Sequence, residues 1–169
     1  MEDILLVDGY NMIGAWPELR DLKDRDFGLA RDRLVEIMAE YQAYTGYKVK
    51  VVFDAHMVAG IGKKYHNHRI DVIYTRKNET ADERIEKLVH ELKRIDTRIH
   101  VATSDFMEQS LTFGSGALRK SARELLSETE LTEKGIDIEV EKTRKQQHST
   151  KIPLTDEIAE IFEKWRRQR

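Results

Sequence analysis

Short apolar runs alternate with longer segments of helical spacing along most of the chain. Five runs have the length of buried β-strands: residues 4–7, 49–53, 70–74, 99–103 and 136–140. Between the first two runs, apolar residues recur at helical spacing from Phe27 to about Tyr44, and Gly46 is a fitting end for that helix. Strands that alternate with helices predict a three-layer α/β sandwich built on a mostly parallel sheet of about five strands.

The clearest helix start in the sequence lies at Thr80. Thr80 and Glu83 match the capping-box pattern, and apolar residues form one face of the helix that follows, to about Lys93. Further helices are predicted over residues 105–112, 117–129 and 155–165. Residues 10–26 are predicted to form an irregular loop. The chain contains no internal repeat and no convincing linker, which predicts a single domain over residues 1–169.

Composition narrows the class of protein and the chemistry open to it. Hydrophobic residues make up 40% of the chain and charged residues 36%, and no apolar run approaches the roughly 20 residues that span a bilayer. The acids Glu2 and Asp3 are unlike the start of a signal peptide, and a chain without cysteine suits a reducing cytoplasm, so we expect a cytoplasmic protein. Because the chain has no cysteine, any metal ion must take oxygen or imidazole ligands. The net charge of -2 means that a polyanion must be held by a local basic patch.

Aspartates follow three of the predicted strands, on or just after the last residue. They are Asp8, Asp54 and Asp105, and Asp82 falls in the first turn of the helix after the third strand. Parallel strands end at one edge of a sheet, so we expect these carboxylates to converge there. Converging acids repel one another and bind cations, and oxygen ligands suit Mg²⁺ or Mn²⁺. Such a site can hydrolyse phosphodiesters.

Each aspartate also has an ordinary structural interpretation. A lone aspartate after a strand is most often a turn former or a helix N-cap. Asp82 can simply complement a helix dipole, and Ser104 with Asp105 can cap a following helix. A metal site therefore requires the four acids to meet at one edge of the predicted sheet.

Four segments together resemble a known family. They are residues 6–11 (Leu-Val-Asp-Gly-Tyr-Asn), 51–56 (Val-Val-Phe-Asp-Ala-His), 79–85 (Glu-Thr-Ala-Asp-Glu-Arg-Ile) and 102–105 (Ala-Thr-Ser-Asp). In this order and spacing they resemble the NYN domain, a PIN-like ribonuclease, and most of all its bacterial YacP-type branch. The resemblance covers nearly the whole chain and implies a parallel sheet flanked by helices, a Mg²⁺ or Mn²⁺ site and endonucleolytic cleavage of single-stranded RNA.

The resemblance also implies roles for individual residues. Asp8 matches the first metal-binding aspartate, Asn11 the polar residue that orients the site, Asp82 the central acid and Asp105 the acid after strand four. Asp54 matches less clearly and is either a ligand, a supporting residue or a loop anchor. The acid pattern of the family is intact, which implies an active enzyme. The YacP-type branch further implies a role in messenger RNA decay, with cleavage linked to the ribosome.

Two locally basic segments are candidates for contact with RNA. They run over residues 63–69 and 142–148, and cationic side chains there would neutralise phosphates while Tyr65 stacks on unpaired bases. The candidate contacts are Lys63, Lys64, Tyr65, His68, Arg69, Arg144 and Lys145. The first segment follows Asp54 and so belongs at the edge where the acids converge; the second follows the predicted fifth strand. For either segment alone, ordinary solvated surface is an equally good interpretation.

Two rival functions remain open at this point. Aspartate-nucleophile phosphatases carry an Asp-x-Asp motif after the first strand, and Asp8 matches its first acid. Tyr10 occupies the position of the second acid, which protonates the leaving group in those enzymes. A non-catalytic module that binds RNA or the ribosome is the other alternative.

Overall fold

The structure of the chain is a computed structural model that describes residues 1–55, 70–104, 116–150 and 163–167. The chain separates into two compact units, Met1–Glu133 and Lys134–Arg169, and the whole sheet belongs to the first. No helix in the described ranges is both long enough and apolar enough to cross a membrane.

In the described ranges the sheet has five strands, and all neighbouring strands are parallel. They are β1 (Glu2–Asp8), β2 (Lys48–Phe53), β3 (Asp71–Tyr74), β4 (Thr97–Ala102) and β5 (Leu118–Lys120). The order across the sheet is β3-β2-β1-β4-β5, so the chain first moves outwards from β1 and then returns to its other side. The predicted α/β architecture with a five-stranded parallel sheet is confirmed.

Five helices accompany the sheet in the described ranges. They are α1 (Gly9–Ala15), α2 (Pro17–Arg25), α3 (Phe27–Thr45), α4 (Ala81–Leu92) and α5 (Ala122–Thr150). Two predicted helix boundaries are confirmed. The Thr80 side chain accepts a hydrogen bond from the Glu83 amide at 3.3 Å, and α3 stops at Gly46, whose φ of 80° is left-handed. Residues 163–167 are also helical.

Alternate residues of β1 pack on opposite faces of the sheet. Leu5 and Val7 face a core made with α1, α2, α3 and the start of α5, whereas Ile4 and Leu6 face a core made with α4. Because β1 is the central strand, it is buried on both faces, as its run of apolar residues suggests.

The predicted loop over residues 10–26 is wrong, because that segment forms α1 and α2. Both helices are short, with 7 and 9 residues, so neither repeats its apolar positions often enough to show a helical period. Pro17 begins α2 at a position where a helix tolerates proline. The buried residue Trp16 lies between the two helices.

The predicted strand over residues 136–140 is also wrong, because α5 runs through it. The fifth strand is Leu118–Lys120, inside the segment predicted as a helix over residues 117–129. A strand needs a neighbour for its backbone hydrogen bonds, and β5 takes the place beside β4. The predicted helix over residues 105–112 lies outside the described residues, as does that over 155–165 except for residues 163–165.

Gly9 follows β1 at a point where the backbone passes very close to Phe53. A Cβ atom on Gly9 would lie 2.5 Å from Cδ1 of Phe53. The Phe53 ring is fully buried and is held between Tyr10 and Tyr74, with centroid distances of 5.3 and 5.9 Å. Packing against Phe53 therefore requires glycine at residue 9, in addition to any preference of the turn that the sequence suggests there.

We expect Gly9→Ala to lower the free energy of unfolding by about 1–3 kcal/mol, because the buried ring has no room to move away. Gly14→Ala is the matched control, since Gly14 lies in the same helix and a Cβ there meets no atom within 4 Å. That control should leave stability unchanged or raise it by up to about 1 kcal/mol. Urea unfolding of both variants is the measurement, and equal stabilities would contradict the packing argument.

Candidate active site

The carboxyl ends of β1 and β4 meet at the place where the strand order reverses. Val7 pairs with Ala102, so Asp8, the last residue of β1, and Thr103, the residue after β4, lie side by side at that edge of the sheet. Open α/β sheets bind their ligands in the crevice outside such a reversal, because the connections leave it in opposite directions. This crevice is the natural position for an active site in the fold.

Asp8 is buried at this crevice, with 6% of its surface exposed. It occupies the N-cap position of α1 with an extended backbone, but its side chain makes no capping hydrogen bond. The interpretation of Asp8 as an ordinary helix cap is therefore wrong. Burial of an ionised carboxylate is costly unless nearby groups or ions stabilise its charge, so an acid at this point of the fold is typical of a functional site.

Asn11 connects the start of α1 to the end of β4. Its Oδ1 accepts a hydrogen bond from the Ser104 amide at 2.6 Å and another from the Ser104 hydroxyl. Asn11 lies one helical turn after Asp8, and Ser104 directly precedes Asp105. The bonds thus hold two of the predicted acid-bearing segments together, which agrees with an orienting role for Asn11. Sequence reasoning gave Ser104 only a capping role, although its place between Thr103 and Asp105 was a usable signal.

Asp82 lies half-buried in the first turn of α4. This helix follows the carboxyl end of β3, so it begins at the same edge of the sheet as the crevice. Thr80 caps the helix, and Asp82 is therefore not needed as a cap. An acid in the first turn also complements the helix dipole.

Glu79, three residues before Asp82, is buried, and its carboxylate contacts α4. The Lys87 ammonium donates to Glu79 Oε2 at 2.6 Å and holds the pKa of the Glu79 carboxyl below its usual range. Glu79 Oε1 accepts from the Arg76 amide at 3.4 Å. These contacts fix the segment that leads into α4, so the first acid of the 79–85 motif positions the helix that carries Asp82.

Asp54 follows β2 and lies next to an aromatic and cationic cluster. The Tyr10 hydroxyl lies close enough to Arg31, a buried residue of α3, and to Asp54 for both charges to act on it. Burial raises the pKa of Tyr10, Arg31 opposes that rise and Asp54 adds to it. Sequence reasoning missed Arg31, whose position inside the helical pattern of α3 carried no signal.

The fit of a divalent metal ion depends on the donor atoms at the crevice. Among the described residues, no three aspartate, glutamate or histidine side chains are grouped so that they could hold a metal ion. Asp105 lies outside the described residues, directly after Ser104. The donors near the crevice are oxygen atoms, the type that Mg²⁺ and Mn²⁺ prefer.

The predicted RNA contacts fall into two groups. Lys63, Lys64, Tyr65, His68 and Arg69 lie outside the described residues. Arg144 and Lys145 are exposed on α5, in the unit Lys134–Arg169. Their predicted position in a loop after a fifth strand is wrong, because the helix continues through residues 136–148.

Comparison with known proteins decides the family. A family model for the YacP-like NYN domain matches residues 5–167. The chain belongs to the YacP-like NYN domain family. The predicted resemblance to the YacP-type branch of NYN domains is thus confirmed.

Relatives of this NYN domain agree with it in sequence and structure. YacP of Bacillus subtilis is 61% identical over 165 residues, which cover 98% of this chain and 97% of that protein. A crystal structure of Bacillus subtilis Rae1 (YacP) covers 98% of this chain and 95% of its own, with 61% identity and a TM-score of 0.80. The crystal structure of a tryptophan-to-leucine variant of Bacillus subtilis Rae1 (YacP) covers 94% of this chain and 89% of its own, with 56% identity and a TM-score of 0.74.

Proposed function

We propose that this NYN domain is a metal-dependent endoribonuclease that cleaves single-stranded RNA. The observation that carries the proposal is the buried Asp8 at the reversal of strand order, where its carboxylate does not cap α1. Family membership supports it, because NYN domains resemble PIN-like ribonucleases. The rival aspartate-nucleophile phosphatase still lacks its second acid at Tyr10.

In this proposal Asp8, Asp82 and Asp105 hold Mg²⁺ or Mn²⁺, with Asp54 as a further candidate ligand. The chemistry that such an ion supplies when bound is activation of a water molecule and stabilisation of charge on the leaving oxygen. Asn11 keeps the segment before Asp105 against α1 through its two bonds to Ser104. Glu79 and Lys87 hold the start of α4, and so the position of Asp82.

We further propose that the RNA is messenger RNA and that cleavage is linked to the ribosome. The support for this step is the resemblance to the YacP-type branch. The candidate RNA contacts at residues 63–69 and at Arg144 and Lys145 belong to the same proposal, since cationic side chains bind phosphates.

The test is incubation of the full chain with labelled single-stranded RNA in the presence of Mn²⁺ or of EDTA. We expect internal cleavage with Mn²⁺, none with EDTA, and recovery when excess Mn²⁺ is restored. If naked RNA survives, the same assay on translating ribosomes follows, and cleavage there alone would support the ribosome-linked form. RNA that stays intact in both assays while a small phosphomonoester is hydrolysed would favour the phosphatase. Binding of RNA without cleavage in either assay would favour the non-catalytic module.

A further inference from the structure

A pocket of 450 Å³ lies directly beside the crevice, on the β5 side of Ser104. Its apolar lining includes Trp16, Ala122 and Leu126, and its polar lining is Ser104, Ser121 and Arg123. Ser104 belongs to both places, because it lines the pocket and bonds to Asn11 at the crevice. A molecule in this pocket would therefore be a direct neighbour of a substrate group held at the crevice.

The pocket walls are built by hydrogen bonds that fix their positions. The Trp16 indole N–H donates to the Ala122 carbonyl at 2.8 Å, which holds the start of α5 against the junction of α1 and α2. The Ser121 hydroxyl accepts from the Glu124 amide at 3.1 Å and caps the same helix. A preformed pocket of this size is within the usual range for small-molecule sites, roughly 300–1,000 Å³.

Arg123 is the residue that gives the pocket its charge. Its guanidinium is exposed and makes no hydrogen bond or ion pair with the described residues. None of the described residues that line the pocket is acidic, so nothing in the lining repels an anion. An arginine without a carboxylate partner can bind a phosphate through two parallel N–H bonds.

We propose that this pocket is a subsite for a nucleotide next to the cleaved phosphodiester, with Arg123 bound to its phosphate. The inference rests on the proposed ribonuclease function and adds a substrate-binding residue to it. The combination of an apolar wall, two hydroxyls and one arginine matches a nucleotide, which presents an apolar base face, a ribose and an anionic phosphate. The subsite places RNA along the edge of the sheet from Asp8 towards β5.

The test measures RNA binding separately from cleavage. Fluorescence anisotropy with a short labelled single-stranded oligoribonucleotide is recorded in EDTA over a series of KCl concentrations. Arg123→Gln should raise Kd by about 10-fold at low salt and reduce the salt slope by roughly 0.7, the value for one lost phosphate contact. Arg123→Lys should retain most of the slope because it keeps the cation. Arg94→Gln, an exposed arginine beside the start of β4 at the opposite edge of the sheet, should change neither quantity.

The outcomes separate this proposal from the proposed ribonuclease function. If Arg123→Gln binds RNA with the affinity and salt slope of Arg94→Gln, the subsite is wrong even where the wild type cleaves RNA. If the wild type cleaves nothing but its RNA binding depends on Arg123, the pocket still binds an RNA phosphate through Arg123, and only the cleavage proposal fails. A wild type that does not bind the oligoribonucleotide would overturn the subsite.

Discussion

Asp8→Asn should lower kcat/KM for cleavage of single-stranded RNA by at least about 100-fold while leaving RNA binding nearly unchanged. Loss of groups that merely support metal ligands already costs about 10- to 100-fold, and the proposal makes Asp8 a direct ligand. Asparagine has the shape of aspartate but lacks the charge that a divalent cation needs. Because the Asp8 side chain does not cap α1, the substitution removes no capping bond.

The matched control is Asp24→Asn, which makes the same chemical change at an exposed residue of α2. It should cleave RNA at the wild-type rate. Asp82→Asn tests a second proposed ligand and should resemble Asp8→Asn. Initial rates at several Mn²⁺ concentrations would show whether the losses come with weaker use of the metal. Wild-type cleavage by both the Asp8 and Asp82 variants would reject the metal site.

Trp16→Ala should lower the free energy of unfolding by about 3–5 kcal/mol. Trp16 is 2% exposed and belongs to the core between the sheet and α1, α2 and α3. Removal of the indole leaves a cavity and also deprives the Ala122 carbonyl of its donor. Trp16→Phe separates the two effects, because it keeps an aromatic ring and loses the N–H. We expect that variant to lose about 1–3 kcal/mol.

Trp165→Ala is the control for the tryptophan substitutions, since Trp165 is 60% exposed. It should change stability by no more than about 0.5 kcal/mol. Guanidinium unfolding followed by circular dichroism measures all three variants without relying on tryptophan fluorescence. Equal stabilities of Trp16→Ala and Trp165→Ala would mean that the junction of α1 and α2 does not anchor the start of α5.

The sequence alone determined the class of fold and four of the five strands. Buried strands are short apolar runs, and this pattern is local, so β1, β2, β3 and β4 were predicted within two residues of their observed bounds. The Thr80 cap and the Gly46 stop are likewise local signals, since each acts on a backbone group within a few residues. The four motif segments also identified the family, which the match over residues 5–167 confirms.

Tertiary structure decided the elements whose stability comes from distant partners. β5 has three residues, and only its pairing with β4 defines it as a strand. The short segment over residues 136–140 was predicted to be another strand, but the chain continues there as α5. The helices α1 and α2 are too short for their apolar residues to show a helical period. The burial of Trp16 at their junction depends on contacts with the rest of the core.

At the candidate active site, Asp8 shows which properties follow from the sequence and which from the tertiary structure. The sequence alone placed an aspartate at the end of the first strand and named Asn11 beside it. It left open whether Asp8 caps a helix, because capping depends on side-chain geometry. The structure decided that Asp8 does not cap α1, that Asn11 bonds to Ser104, 93 residues away, and that Gly9 must leave room for Phe53. The strand ends can be predicted from local pattern, but the contacts between them arise only when the sheet brings distant segments together.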